Sequence, residues 1–374
     1  MASRLRAAYS RASRNPFKSA LGAIVDIEPM TDQVLEISLS GPRPNLLQLL
    51  AQPELGILRD NLGTGPLSPE PVEGGAVRLA GPQGEEDDSV PQRPGIVLRG
   101  EPAARAVARF AEEEASLVVG GTLADLPFAR AAQLSQDRLV FDPAAGLFGL
   151  AFARAEEGPL ADPVIRRALS MANDRDALVA ALAVPGLQPH AAWLPSTAGE
   201  LPRPGGPDWT RAPLPMRREL AARAIAGLEE PLRLRVAMPD GPGYRIVFAH
   251  LHRDWRLIGV EGERVAASAP ADLVLIDSVA PAASSSWFLR HFTCDTGRVC
   301  DPAADAALQA ARVARSAAER RVQLVQAYQL LGAVTPFIPL TAPVRWSLVS
   351  PRLTGFRPNL FARHPAETLI VEEN

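Results

Sequence analysis

The stretch "GPLADPVIRRALSMANDRDALVAAL", Gly158–Leu182, decides how the rest of the chain is read. Asp162 followed by Pro163 reads as an N-cap with a first-turn proline, where the missing N–H takes nothing from the helix. Val164, Ala168, Met171, Ala172, Leu178 and Leu182 recur at helical spacing, so the segment predicts one amphipathic helix terminated by Pro185-Gly186. Its polar side carries Asn173-Asp174-Arg175-Asp176. Four successive residues sweep all the way round a helix and cannot converge on one ligand. The cluster therefore reads as scaffold, with Arg175 and Asp176 as surface ionic partners, or as a second N-cap if the helix breaks there.

Composition narrows the classes. A chain of 374 residues suggests two or three domains or lobes, and a hydrophobic share of 47% is globular. A formal net charge of -3 and a pI near 6.0 give no general pull toward nucleic acid or an anionic membrane. The cations are almost all Arg, which weakens any argument from a single surface Arg. The 36 prolines favour short elements separated by fixed turns. No run approaches the ~18 uninterrupted apolar residues of a membrane span, and the basic start has no secretory apolar core, so it reads as a helix ending near Asn15-Pro16.

Outward from the decisive stretch, the pattern is mixed α/β. "QVLEISLSG" (33–41) alternates like a half-buried strand, and "NLLQLLAQPELGIL" is a short helix cut by Pro53. Leu62–Gly95 is a loop or a pair of short strands joined by an acidic turn at Glu85–Asp88. "GIVLRG" and "ASLVVGG" are strands flanking the helix "EPAARAVARFAEEEA", and "RLVFDPAAGLFGLAFA" is a strand, a turn and a fully buried strand. Strands and helices keep alternating to "ADLVLIDSVAP", followed by two helices, the second capped by Ser316, and proline-broken strands from Thr335.

Catalytic motifs are missing: there is no G-x-S-x-G elbow, no phosphate-cradling loop and no H-E-x-x-H. His250 and His252 lie two apart on a helix, so they diverge and read as solvent-facing; no metal and no cofactor are predicted. Cys294 and Cys300, six apart in "FTCDTGRVCDP", are either a small disulfide loop in an oxidising compartment or two ordinary thiols.

The order of several pieces carries a resemblance. "GTGP" (63–66), "DPVIRRALSMANDRDALV" (162–179), "WLPSTAG" (193–199), "LIGVEGE" (257–263) and "TPFIPLTAPVRWSLVSPRLTGFRPN" (335–359) follow one another across most of the chain. In that order the chain resembles the extracytoplasmic solute-binding proteins of peptide/nickel (oligopeptide/dipeptide-binding, family 5) ABC importers. The resemblance implies a two-lobed, periplasmic binding protein-like α/β fold of class II, peptide-binding type, with mixed sheets. It further implies no enzyme, and a peptide or related small solute closed in an interlobe cleft for delivery to ABC permease subunits, in the periplasm.

Against that pattern, roughly a hundred residues expected before Ser3–Ser13 are missing, along with a signal. This predicts an incomplete first lobe in 1–160, a second lobe in 161–325, a C-terminal segment 326–374 returning to the first, and a protein partner covering the exposed sheet. The alternative is a truncated or degenerate paralogue serving as a cytoplasmic interaction module. The acidic loop of peptide binders is replaced by "IDSVAPAASSSWFLRHF", in which Asp277 is the residue left to pair a ligand amine. Trp287 with Arg290, and Trp346 beside Arg345, are candidates for holding a ring and a carboxylate, against ordinary packing.

Overall fold

The decisive segment folds as two helices, Pro163–Met171 and Arg175–Leu182, and the break falls in the polar cluster. Asp162 Oδ1 accepts from the Val164 N–H at 2.7 Å and Asp174 Oδ1 from the Ala177 N–H at 2.9 Å, so each helix has its own carboxylate cap. The second helix ends on Ala183 in the left-handed conformation (φ 48°), ahead of Pro185-Gly186. This computed structural model describes residues 1–15, 17–43, 46–59, 62–65, 67–80, 95–135, 137–194, 201 and 206–371. The chain divides into two compact units: Met1–Pro102 with Ala310–Arg320 and Pro365–Leu369, and Ala103–Gln309 with Arg321–His364 and Ile370–Asn374. These units do not coincide with the segments 1–160, 161–325 and 326–374.

In the smaller unit, α1 (Ala2–Tyr9) and α2 (Lys18–Leu21) precede β1 (Ile24–Pro29) and β2 (Leu35–Leu39), which pair antiparallel with Ile27 opposite Ile37. The first helix stops well before Asn15, whose side chain instead accepts from the Phe17 N–H at 2.8 Å and donates to the Glu54 carbonyl at 2.8 Å. Leu35, Ile37 and Leu39 alternate with exposed Glu36 and Ser38, as the pattern predicts, and pack on a core of Leu5, Leu21, Ile27, Leu49 and Leu55. After α3 (Leu46–Leu50), β3 (Ser68–Val72), β4 (Ala76–Ala80) and β5 (Ile96–Leu98) form an antiparallel sheet. The paired-strand alternative holds, but β3 and β4 join at Glu73–Gly75, where Gly74 (φ 76°) and Gly75 (φ 74°) make the turn. Glu85–Asp88 lie outside the described residues.

The larger unit begins with α4 (Ala103–Ala111), β6 (Leu117–Thr122), α5 (Leu126–Ala131), β7 (Leu139–Phe141) and β8 (Gly146–Phe152). The two capped helices are α6 and α7. They lead to α8 (Leu214–Ala226), β9 (Arg233–Met238), α9 (Pro242–Arg256), β10 (Glu261–Ala266), β11 (Leu273–Val279) and α10 (Ser285–Arg290). Then come α11 (Pro302–Val313) and α12 (Ala317–Val334), whose facing ends fall in the Ala310–Arg320 stretch of the smaller unit, and β12 (Phe337–Thr341) and β13 (Arg345–Val349). Ser316 Oγ caps α12 by accepting from the Glu319 N–H at 3.1 Å, as expected.

One five-stranded sheet, in the order β10-β9-β11-β8-β12, organises this unit. β10, β9 and β11 are parallel, which the crossover through α9 permits, while β8 runs antiparallel to both β11 and β12. All seven residues of β8 are buried, matching its uninterrupted apolar and small sequence. A Cβ on Gly149 would run into the Ile338 carbonyl, so glycine sets how closely β12 approaches. β6-β13-β7 form a second, antiparallel sheet. The five-stranded sheet takes strands from each of the three segments delimited in the sequence, β8 from the first, β9, β10 and β11 from the second and β12 from the third.

The core includes Phe148, Leu150, Phe152, Leu169, Leu178, Val247, Trp255 and Ile338. Val164 is not part of it: at 51% exposure it leaves the predicted stripe, while Ala168, Met171, Ala172, Leu178 and Leu182 are buried as predicted and Ile165 and Leu169 join them. Ile165, Ala168, Leu169 and Ala172 stand at i, i+3, i+4 and i+7, a complete helical face.

Candidate functional site

The polar break between α6 and α7 is scaffold, though not at the surface. Arg175 is 4% exposed, and its guanidinium donates to the Pro339 carbonyl at 2.8 Å and to the carbonyl and hydroxyl of Ser170, both at 2.9 Å. It thereby ties α6, α7 and β12 together, and it lies 5.5 Å from the Trp209 ring centre. Burial, then repulsion from Arg217, lowers its pKa to about 9, which leaves it charged at neutral pH. The Asp174 N–H is bonded to the buried Asp254 carboxylate at 2.8 Å, which also receives Arg218 at 2.7 Å and Arg253 at 2.8 Å. The expected surface placement of Arg175 fails because the Pro339 carbonyl of β12 and the carbonyl and hydroxyl of Ser170 converge on it, and a guanidinium supplies several donors in one plane.

Asp277 stands in β11, as the sequence reading places it, but neither carboxylate oxygen waits for a ligand. Oδ1 accepts from Arg345 Nη1 at 2.7 Å and Oδ2 accepts from the Tyr244 hydroxyl at 2.7 Å. The side chains of Asp277 and Arg345 are 7% and 15% exposed. Burial and the neighbouring carboxylate push the Tyr244 hydroxyl well above its ordinary pKa, so it stays a donor. Arg345 is held twice more, by the Val344 carbonyl at 2.9 Å and the Asp277 carbonyl at 3.2 Å. Three elements, β11, α9 and β13, thus fix one guanidinium.

Arg345 and Trp346 line a cavity of about 270 Å³ within the larger unit. The loop after β11 (Val279, Ala280, Pro281) lines it too, as do Gly120, Asp142 and residues Phe361–His364. Trp346 is 1% exposed, and its indole N–H donates to the Thr122 carbonyl at 2.7 Å. Its ring occupies the space over Gly121 that a Cβ would need. His364 Nε2 lies 3.2 Å from Asp142 Oδ2, Phe356 stacks on the imidazole at 4.4 Å, and Asp142 Oδ1 accepts from the Asn359 N–H at 2.9 Å.

The other candidates lie apart from the cavity lining. Trp287 and Arg290 share α10, where Trp287 packs edge-on against Phe288 and His291 and Arg290 Nε donates to the Ser286 carbonyl at 3.1 Å. Cys294 and Cys300 are bonded to each other. Their loop is pinned to the end of β8 by Val299 N–H to the Phe152 carbonyl (3.1 Å) and Arg154 N–H to the Gly297 carbonyl (2.9 Å). His250 and His252 are half-buried rather than solvent-facing, with His252 stacked on Phe248. Sequence reasoning missed Tyr244, which it read only as part of a helix, and the Asp142–His364 pair. No local signal links residues 222 positions apart.

No protein-family model matches the sequence, and comparison with curated proteins finds no match. Solved structures do match. Haemophilus influenzae OppA in complex with RPPGFSPFR superposes with a TM-score of 0.80 at 16% identity, over 99% of this chain and 83% of that one. The Escherichia coli murein tripeptide binding protein MppA gives 0.81 at 18% identity, over 100% and 83%. NikA from Brucella suis in complex with Fe(III)-EDTA gives 0.79 at 15%, over 99% and 84%. At these identities the likeness establishes the fold: a mixed α/β chain of the two-lobed periplasmic binding protein type, as the resemblance implied.

Proposed function

We propose that the chain is the solute-binding component of an ABC importer, taking a peptide or related small solute in the periplasm and delivering it to permease subunits without covalent chemistry. The observation that carries this reading is the likeness, over 99–100% of the chain, to OppA with a bound peptide, to a murein tripeptide binding protein and to NikA with a bound metal chelate. The cavity supports it. Preorganised polar groups surrounded by aromatic and small side chains suit reversible capture. Asp277 enters as the residue that holds Arg345, and Trp346 as a cavity wall; Trp287 and Arg290 on α10 are a separate candidate contact. Among the described residues no helix is long and apolar enough to cross a membrane.

The test is a thermal-shift screen of the purified chain against di- and tripeptides, amino-acid derivatives and metal chelates, with hits measured by calorimetry. A true ligand at 100 times its Kd stabilises the folded chain by about 2.7 kcal/mol, which is readily read as a raised midpoint. Saturable one-to-one binding is expected for at least one class. A screen in which nothing saturates overturns the reading.

A further inference from the structure

Arginine carries five N–H donors in a planar fork with two bidentate edges. At Arg345 the terminal edge is consumed: Nη1 bonds the Asp277 carboxylate and the Val344 carbonyl, and Nη2 bonds the Asp277 carbonyl. Nε–H and the second Nη2–H, which together form the side edge, have no partner among the described residues. That edge matches the spacing of two carboxylate oxygens. Its orientation is set before any ligand arrives, because Tyr244 fixes Asp277 and Asp277 fixes the guanidinium. Trp346 and Phe361 supply apolar walls to the same cavity.

The groups left unbonded, rather than net charge, select the ligand: the carboxylates at the cavity already have partners, while the side edge of Arg345 has none among the described residues. The Asp277 carboxylate, the group that would attract an amine, is neutralised by Arg345 and bonded by Tyr244. Asp142 is likewise engaged by His364 and the Asn359 N–H. Arg345 lines the space. A cavity of about 270 Å³ lies below the ~300–1,000 Å³ of drug-sized pockets, so the group that enters is small.

From this arrangement we infer that the cavity is a receptor for a small organic carboxylate attached to an apolar or aromatic group, taken by the side edge of Arg345, and that it discriminates against amines. The inference rests on the reading of the chain as a solute receptor and names the charge class of its solute. Asp277 and Tyr244 are positioning residues: they touch Arg345 or its partner rather than the carboxylate.

The experiment uses the full chain and three probes of nearly equal shape: phenylacetate, the uncharged phenylacetamide and the cationic phenethylamine. Calorimetry is expected to show saturable phenylacetate binding, with the amide and the amine about tenfold weaker or more, the difference made by charge-assisted bonds. Arg345→Lys keeps a cation beside Asp277 and preserves the fold, checked by circular dichroism, but lacks the planar edge; it is expected to bind phenylacetate no better than the amide. Failure of phenylacetate to saturate, equal binding of the three probes, or wild-type affinity in Arg345→Lys overturns the inference. A cationic or uncharged solute from the wider screen that binds independently of Arg345 overturns it while leaving the receptor reading intact; if no solute binds at all, both fall.

Discussion

Arg345 Nη1 lies 2.7 Å from Asp277 Oδ1, and this one ion pair joins β13, the middle strand of the antiparallel sheet, to β11 of the five-stranded sheet. With both side chains largely out of water, removing either partner leaves the other as an uncompensated charge. Asp277→Ala is therefore expected to destabilise the protein by about 3 kcal/mol or more, whereas Asp277→Leu combined with Arg345→Met recovers most of that loss because no lone charge remains. Urea midpoints of the wild type, the single variants and the double variant measure this. A single variant as stable as the double one contradicts it.

The polar cluster that interrupts the decisive helix makes a second prediction. Asp162 and Asp174 each cap one helix, so Asp162→Ala and Asp174→Ala should each cost about 1 kcal/mol. Asp254→Ala should cost more, about 3 kcal/mol or above, because it abandons Arg218, Arg253 and the Asp174 N–H together. The folded variants should retain solute affinity, measured by calorimetry. A selective loss of affinity in Asp174→Ala at full stability would make the cluster a site.

His291 supplies a pH dependence. Burial is the main cause that holds its pKa down to about 4, below the ordinary 6.5, while the Trp287 carbonyl accepts from Nδ1 at 2.9 Å. The fold accommodates the neutral ring, so between these values the unfolded chain binds a proton that the folded chain refuses. The stability contributed is fully present above pH 6.5 and is lost as pH falls toward 4. Urea midpoints should drop between pH 7 and pH 4.5, and drop less in His291→Asn, which keeps a donor for the carbonyl. His190 and His250 are also lowered by burial, so the slope is reduced rather than abolished. An unchanged slope in the variant would remove His291 from the account.

Local chemistry made much of this fold legible. Asp162-Pro163, Ser316 before α12 and the alternation of Leu35, Ile37 and Leu39 act within one turn or one strand, and each element formed where its signal stood. What escaped depends on tertiary placement. Arg175 has a charged, helix-surface sequence context, yet it is buried because β12, more than 160 residues away, brings the Pro339 carbonyl to it. Asp277 was legible as a strand-end acid, while its partners Tyr244 and Arg345 come from elements that no periodicity relates to β11. The burial of Trp346 depends on Gly121 having no side chain, a fact visible only once β6 and β13 are paired.

The bond between Cys294 and Cys300 closes a loop six positions long whose backbone is tied to Phe152, Arg154 and, through the Cys294 N–H, to Asp305 Oδ2 at 3.0 Å. Because so short a loop loses little freedom on closure, the bond contributes about 2 kcal/mol, near the low end for disulfides. The hydrogen bonds that pin the loop to β8 and α11 survive reduction, so the loop should stay in place. Thiol titration of the non-reduced, denatured protein should find no free cysteine. Cys294→Ser combined with Cys300→Ser should lower the thermal midpoint by a few degrees without changing the affinity for any solute that the wild type binds. A reactive thiol in the non-reduced protein, or loss of solute binding in a folded double variant, would show that the pair is labile or belongs to the binding machinery rather than to the frame.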